Sequence, residues 1–169
     1  AGGKVFSFEP DAWLVQLLRE SCAIQPASSA PVQVVPAALA EAVELRTFNI
    51  ASRSRATSFL EGYGSSQAGG TSEKQTVVCL SLDWLAERLP LPDVLKIDVE
   101  RAEIKVLEGA RGLLERRRPV IICEVSGENA RGVAHFLKER NYRIYDGERT
   151  ARERTELEAA PWSTIAIPV

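Results

Sequence analysis

Along this chain, short apolar segments with strand propensity alternate with amphipathic segments, and that order limits the folds open to it. Residues 93–99 (DVLKIDV) predict a strand, residues 102–117 (AEIKVLEGARGLLERR) a helix, and residues 118–125 (RPVIICEV) another strand. Strands that are apolar along nearly their whole length are typical of parallel sheets, which helices cover on both faces. Because crossovers between parallel strands are right-handed, we predict an α/β fold with a doubly wound, Rossmann-like, mainly parallel sheet and helices on both faces.

The first half of the chain continues this pattern, with one addition. Residues 5–8 and 31–35 predict strands, and Asp11 is a natural N-cap for the helical spacing that follows it. Residues 41–50 alternate between polar and apolar and predict an added antiparallel strand, with a core side expected to be Val43, Leu45 and Phe48. Residues 61–74 are rich in Gly and Ser and predict a loop, which is either a plain connector or an active-site lid.

Length and charge exclude several classes of protein. A chain of 169 residues predicts a single domain over residues 1–169, and a net charge of -2 gives no reason to expect nucleic acid. No apolar run approaches the roughly 20 residues that span a bilayer, and no signal peptide opens the sequence, so we expect a cytoplasmic protein without a membrane partner. The three cysteines are widely spaced, which suits neither a disulfide framework nor a zinc site.

Four carboxylates follow predicted strands. Glu9, Asp98, Glu100 and Glu124 each lie at or just past the carboxyl end of a strand, which is where doubly wound sheets bind ligands. These acids either line one crevice or cap helices and contact solvent. The acid after an early strand can hold a ribose diol, or it can simply begin the next helix. Asp98 and Glu100 have no evident third ligand, so we predict no metal site.

Several segments resemble, in order, blocks of the FkbM-type methyltransferases, which are S-adenosylmethionine-dependent enzymes with a Rossmann-like fold. The segments are VFSFEP, VPAALA, SLDWL, LKIDVERAEIKVLEGA, RPVIICEV, FLKERNYRIYD and IAIP. The resemblance covers nearly the whole chain and is most specific around KIDVE. It implies an S-adenosylmethionine cofactor and methyl transfer to a hydroxyl of a small-molecule acceptor, such as a sugar, a lipid or a polyketide-type metabolite.

The resemblance also implies roles for particular residues. Glu9, with Pro10 beside it, would hold the cofactor ribose. Asp98 would lie near the reactive methyl group as both a cofactor-binding and a catalytic residue, and Glu100 would border the acceptor as the second catalytic residue. The remaining candidates, on the substrate side, are Arg101 and Glu124.

The sequence departs from the family pattern before Glu9. The family has a Gly-rich loop of the D-x-G-A-N-x-G kind about 20 residues before the ribose acid, and Gly2-Gly3 resemble only the end of the turn that follows such a loop. We therefore expect this sequence to lack the family's first strand and its Gly-rich loop. Since losing a central strand would leave two strands without a neighbour, we expect a fragment of a longer protein. Unpaired strands could also drive formation of a homodimer.

A second departure is Arg101, which stands where the family has glycine. It can pair with Glu100 or Glu103, point to solvent, or contact an anionic acceptor. Both departures leave a non-catalytic Rossmann-like binding domain as an alternative. A nicotinamide-dependent oxidoreductase is a further alternative, because a ribose-binding acid also serves that cofactor.

Overall fold

The computed structural model describes residues 3–26, 28–64 and 69–169, which form a mixed α/β fold. Within these ranges no helix has the length and apolar character needed to cross a membrane. In chain order the elements are β1 (Val5–Phe8), α1 (Ala12–Ala23), β2 (Val32–Val35), β3 (Ala38–Leu39), β4 (Glu44–Ala51), a 3₁₀ turn (Arg55–Thr57), β5 (Phe59–Leu60), β6 (Thr71–Leu80), α2 (Leu82–Ala86), β7 (Val94–Ile97), α3 (Glu103–Glu108), α4 (Arg111–Arg116), β8 (Val120–Glu124), α5 (Ala130–Lys138), β9 (Tyr142–Asp146) and β10 (Ser163–Pro168).

The described strands form three sheets, with the orders β1-β2, β3-β6-β4-β5 and β7-β8-β10-β9. The pairs β1-β2, β3-β6 and β7-β8 are parallel, whereas the other four pairs are antiparallel. The predicted mainly parallel sheet is therefore not observed, because β10 runs antiparallel between β8 and β9 and because β4 folds back on β6. The added antiparallel strand predicted at residues 41–50 is confirmed as β4. In the described part of the chain, β1 pairs only with β2 and β7 only with β8.

Helices pack on one face of the β7-β8-β10-β9 sheet. The side chains that this face buries include Ile97, Ile121, Ile144 and Ala166, and they share one core with residues of α3, α4 and α5. On the opposite face, Val94 is 53% exposed and Ile122 and Ile167 are each 37% exposed. For this sheet, the predicted helices on both faces are thus observed on one face only among the described residues.

The helix predicted over residues 102–117 is interrupted, and α3 ends before α4 begins. A Cβ atom at Gly109 would lie 2.3 Å from the carbonyl oxygen of Ala40, so the β3 segment approaches the helix end closely at this point. The Asp83 carboxylate then accepts hydrogen bonds from the backbone N–H groups of Gly112 and Leu113, at 3.0 and 2.7 Å. Because α2 supplies this cap from outside the segment, periodicity within the segment could not predict the break.

Other differences lie in the β3-β6-β4-β5 sheet. Phe48 is buried as predicted, but Val43 and Leu45 are 49% and 68% exposed, because Leu45 pairs with Val78 on the outer face. Strand β6 already begins at Thr71, so the predicted loop is shorter than 61–74. Residues 65–68 of that loop, and Gly2 of the predicted turn, lie outside the described residues, and the question of a lid stays a prediction.

Candidate functional site at the carboxyl edge of the sheet

Strands β7, β8 and β9 run in the same direction, because β7 is parallel to β8 and β10 is antiparallel to both β8 and β9. Their carboxyl ends therefore meet at one edge of the sheet, as predicted for Asp98 and Glu124. Glu100 lies at the same edge, since its carboxyl interacts electrostatically with both of these acids. The structure thus brings together three of the four predicted carboxylates.

Lys96 connects the ends of β7 and β8, and sequence analysis did not single it out. Its Nζ lies 2.7 Å from Asp98 Oδ2 and 3.0 Å from Glu124 Oε1. Burial acts to lower the pKa of Lys96, but the hydrogen bonds to these two carboxylates raise it above its usual value. The sequence signal that could have identified Lys96 is its position as the one charged residue in the apolar stretch VLKI. The alternative prediction was that Glu124 caps a helix, here α5. In the structure the Glu124 carboxylate accepts a hydrogen bond from Lys96 instead.

The Glu100 carboxyl is partly buried and lies among other acids at this edge. Its partial burial, and then the negative charges of Asp98, Glu103 and Glu124, raise its pKa above the usual value, while Arg101 acts in the opposite direction. A carboxylate with a raised pKa holds a proton more readily, which is the property that a general base at neutral pH requires. Glu100 is therefore the candidate general base at this edge.

Arg101 adopts a left-handed backbone conformation, with φ of 64°. This conformation costs a residue other than glycine roughly 1–2 kcal/mol, and glycine would adopt it without that cost. The Arg101 carbonyl accepts a hydrogen bond of 2.9 Å from Asn129 Nδ2. Its guanidinium Nε lies 3.5 Å from Glu128 Oε1, an ion pair that was not among the predicted alternatives.

Glu9 lies on the separate β1-β2 sheet, just past the end of β1. Its Oε1 accepts a hydrogen bond of 2.8 Å from the Asp11 backbone N–H, and burial raises the pKa of its carboxyl. Its other oxygen, Oε2, makes no hydrogen bond with the described residues. Phe8 packs against the same core that contains Ile97, so the strand ends that precede Glu9 and Asp98 share that core. A half-buried carboxylate with one oxygen available fits a ribose diol, whose two hydroxyls donate hydrogen bonds.

Asp11 fixes the turn after Glu9 and confirms the predicted N-cap. It is fully buried, its Oδ1 accepts from the Trp13 backbone N–H at 2.9 Å, and its Oδ2 lies 2.5 Å from Arg55 Nη1. The Arg55 guanidinium also stacks 5.0 Å from the centroid of the Trp13 ring. The start of α1 is therefore tied to the turn between β4 and β5. Pro10 lies within this turn, and its predicted cofactor contact stays a prediction.

Among the described residues, a cavity at the end of β9 and another near the start of β2 are lined by none of Glu9, Asp98 and Glu100. A cavity of about 340 Å³ lies at the carboxyl end of β9, and its lining residues are Asp146, Arg149, Glu153, Thr155 and Leu157. A second, of about 260 Å³, lies near the start of β2 beside Cys22. The Asp98 side chain is 58% exposed, so the carboxylate cluster is an open surface of the sheet edge. Within the described ranges, no group of three or more His, Cys, Asp or Glu side chains is placed to hold a metal ion.

The described residues thus form a mixed α/β domain with acids at the carboxyl ends of two neighbouring strands. Residues 1–144 match the family described as the methyltransferase FkbM domain, and the chain belongs to that family. The predicted resemblance to the FkbM-type methyltransferases is thereby confirmed over residues 1–144.

Comparison with solved structures agrees with this assignment at the level of fold. The chain is similar to the crystal structure of methyltransferase FkbM from Methylobacillus flagellatus KT, with a TM-score of 0.57 and 15% sequence identity. The similarity covers 96% of this chain and 36% of that one, so the chain spans about a third of the length of that protein. A comparison with curated proteins gives no match.

Proposed function

We propose that this domain takes part in S-adenosylmethionine-dependent methyl transfer to a hydroxyl of a small molecule of the sugar, lipid or polyketide type. Membership of the FkbM methyltransferase family supports methyl transfer as the reaction. The observation that carries the proposal for this chain is the gathering of Asp98, Glu100 and Glu124 at one sheet edge, where α/β folds bind ligands.

Glu9 is the residue proposed to hold the cofactor. Its available oxygen and its partial burial favour hydrogen-bond donors such as the ribose hydroxyls, because a desolvated carboxylate gains from each donor. The cofactor, when bound, supplies a methyl group on a sulfonium, which is already a strong electrophile. The protein then has mainly to place the acceptor oxygen in line with that methyl group.

On the acceptor side, we assign Glu100 as the base that takes the hydroxyl proton, since its pKa is raised. Asp98 is held by Lys96 and orients the hydroxyl. Glu124, held by the same ammonium, and Arg101 border the acceptor. The net negative charge of this edge also favours a cationic cofactor over an anionic one.

Titration calorimetry of S-adenosylmethionine against this chain tests the cofactor assignment. Glu9→Ala should weaken binding roughly 10- to 100-fold, as expected for a lost hydrogen bond to a charged group. Glu20→Ala, which removes an exposed carboxylate from α1, is the matched control and should bind like the wild type. Wild-type protein that binds no cofactor, or a Glu9→Ala variant that binds normally, would contradict the assignment.

A non-catalytic binding domain remains the alternative, and the strained Arg101 in place of glycine is the observation that favours it. A screen of hydroxyl acceptors that measures S-adenosylhomocysteine release separates the two, because only the enzyme releases this product. The nicotinamide-dependent oxidoreductase gains no support from the family match. The cytoplasmic location and the homodimer stay predictions, and sedimentation velocity tests the second.

A further inference from the structure

A buried carboxylate joins two loops at the carboxyl edge. Glu103, in the first turn of α3, is only 2% exposed. Its oxygens accept three hydrogen bonds: 3.1 Å from the Ser126 backbone N–H, 3.2 Å from the Ser126 hydroxyl and 2.5 Å from Asn129 Nδ2. A buried carboxylate requires such donors, and here all of them come from the loop between β8 and α5. The start of α3 is therefore fixed to the end of β8.

Asn129 makes a second contact that reaches the loop after β7. Its amide group carries two hydrogens, and the same Nδ2 lies 2.9 Å from the Arg101 carbonyl oxygen and 2.5 Å from Glu103. Asn129 precedes α5 at the N-cap position, but its side chain makes no capping hydrogen bond to that helix. The side chain is thus committed to residues 101 and 103.

The backbone between these contacts is the strained part of the loop. Arg101 has φ of 64°, a conformation that side chains disfavour. Glycine would adopt it without strain, whereas arginine needs a contact that offsets the cost. The hydrogen bond from Asn129 to the Arg101 carbonyl acts at this residue, and Glu100 is its immediate neighbour.

We propose that Glu103 and Asn129 are positioning residues: together they fix the path of residues 98–102, seat the Glu100 carboxyl beside Asp98 and Glu124, and replace the conformational role of a glycine at position 101. The catalytic role of the Glu100 carboxyl rests on the proposed methyltransferase reaction. The positioning itself does not, and it can be measured without any methyl transfer.

The test is an NMR titration of the Glu100 side-chain carboxyl, together with thermal unfolding. The groups that face Glu100 are Asp98, Glu103, Glu124 and Arg101. Asn129→Ala should release the loop, so that Glu100 becomes more hydrated and its pKa falls toward the ordinary value of a glutamate. The melting temperature should fall by about 4–8 °C, as expected for the loss of two hydrogen bonds.

Asp83→Asn is the control for general loosening, because it weakens the cap of α4 without touching residues 98–102. It should lower the melting temperature and leave the Glu100 titration unchanged. An unchanged titration in Asn129→Ala, or an equal shift in Asp83→Asn, would overturn the positioning role.

The double variant Arg101→Gly with Asn129→Ala tests the replacement of glycine. Glycine keeps the left-handed path without the Asn129 hydrogen bond. Because removal of the Arg101 charge by itself raises the Glu100 pKa, the double variant is compared with Arg101→Gly alone. The Glu100 pKa should be the same in these two variants, and the stability loss of the double variant should be smaller than that of Asn129→Ala alone. A Glu100 pKa that is clearly lower in the double variant than in Arg101→Gly alone would refute this part of the proposal. None of these measurements uses cofactor or acceptor. Failure of the positioning role of Glu103 and Asn129 can therefore be distinguished from failure of the methyltransferase assignment.

Discussion

Gly109 marks the place where the end of α3 touches the β3 segment, and replacing it with alanine should destabilise the domain. Its φ is −77°, so glycine is not needed for the backbone conformation. It is needed for space: an added Cβ would lie 2.3 Å from the Ala40 carbonyl oxygen and 3.0 Å from Glu41 Cα. Both contacts are to backbone, which cannot rotate away as a side chain can. The segment would therefore have to move by close to 1 Å.

The size of this effect follows from the cost of inserting a methyl group into a packed site, about 1–3 kcal/mol. The rigid backbone neighbours place Gly109→Ala near the upper end of that range. A domain of this size loses roughly 2–4 °C in melting temperature per kcal/mol, so we expect a decrease of about 6–12 °C. Circular dichroism during heating, supported by urea unfolding, measures both quantities.

Gly132→Ala is the matched control for this prediction. Gly132 lies in α5, and an added Cβ there meets no atom within 4 Å. Alanine favours helix over glycine by up to about 1 kcal/mol, so this variant should be as stable as the wild type or a few degrees more stable. If Gly109→Ala melts within 1–2 °C of the wild type, the close approach to Ala40 does not constrain the fold and the reasoning is wrong.

Three further predictions concern buried or perturbed groups. Asp11→Ala should lower the free energy of unfolding by about 2–4 kcal/mol in urea titrations, because it removes the N-cap of α1 and the partner of Arg55. Glu100→Gln should raise the melting temperature at pH 7: the raised pKa means that the native state binds this proton more tightly than the unfolded state, so wild-type stability is lost as pH rises through that pKa. The difference should vanish at a pH below the ordinary pKa of glutamate, and a variant that gains nothing at pH 7 would contradict the assignment. Burial raises the pKa of the Cys123 thiol to about 12, so a thiol reagent at pH 8 should modify the partly exposed Cys22 in the native protein and Cys123 only after unfolding.

Local sequence patterns predicted most elements of this fold, because the forces that define them act between neighbours in the chain. The strand before Glu9 and the N-cap at Asp11 were both correct, since strand propensity and capping act over a few residues. The direction of β10 was not predictable in this way. Its apolar pattern is the same whether it lies parallel or antiparallel to β8, and only the connection through space decides.

The candidate site shows the same division. Asp98 and Glu124 were correctly predicted to lie at one edge, because each follows a strand and the carboxyl ends of parallel strands lie at the same edge of a sheet. The bridge by Lys96 could not be inferred, since it depends on the register that puts Lys96 opposite Ile122 and beside the neighbouring strand end. The left-handed backbone of Arg101 was equally hidden. A glycine at this position would have indicated a left-handed conformation, whereas an arginine does not. Asn129, which donates the hydrogen bond to the Arg101 carbonyl, lies 28 residues away in sequence.

The one-sided pairing of β7 has a consequence for motion at this edge. In the described chain β8 is hydrogen-bonded on both sides, to β7 and β10, whereas β7 is bonded on one side only. Amide protons in a strand exchange with solvent when its hydrogen bonds open, and singly paired strands open at lower cost. Deuterium uptake should therefore be faster in peptides from β7 and the loop to α3 than in peptides from β8. Glu124 would then follow a strand whose hydrogen bonds rarely open, whereas Asp98 and Glu100 follow a strand whose hydrogen bonds open more often.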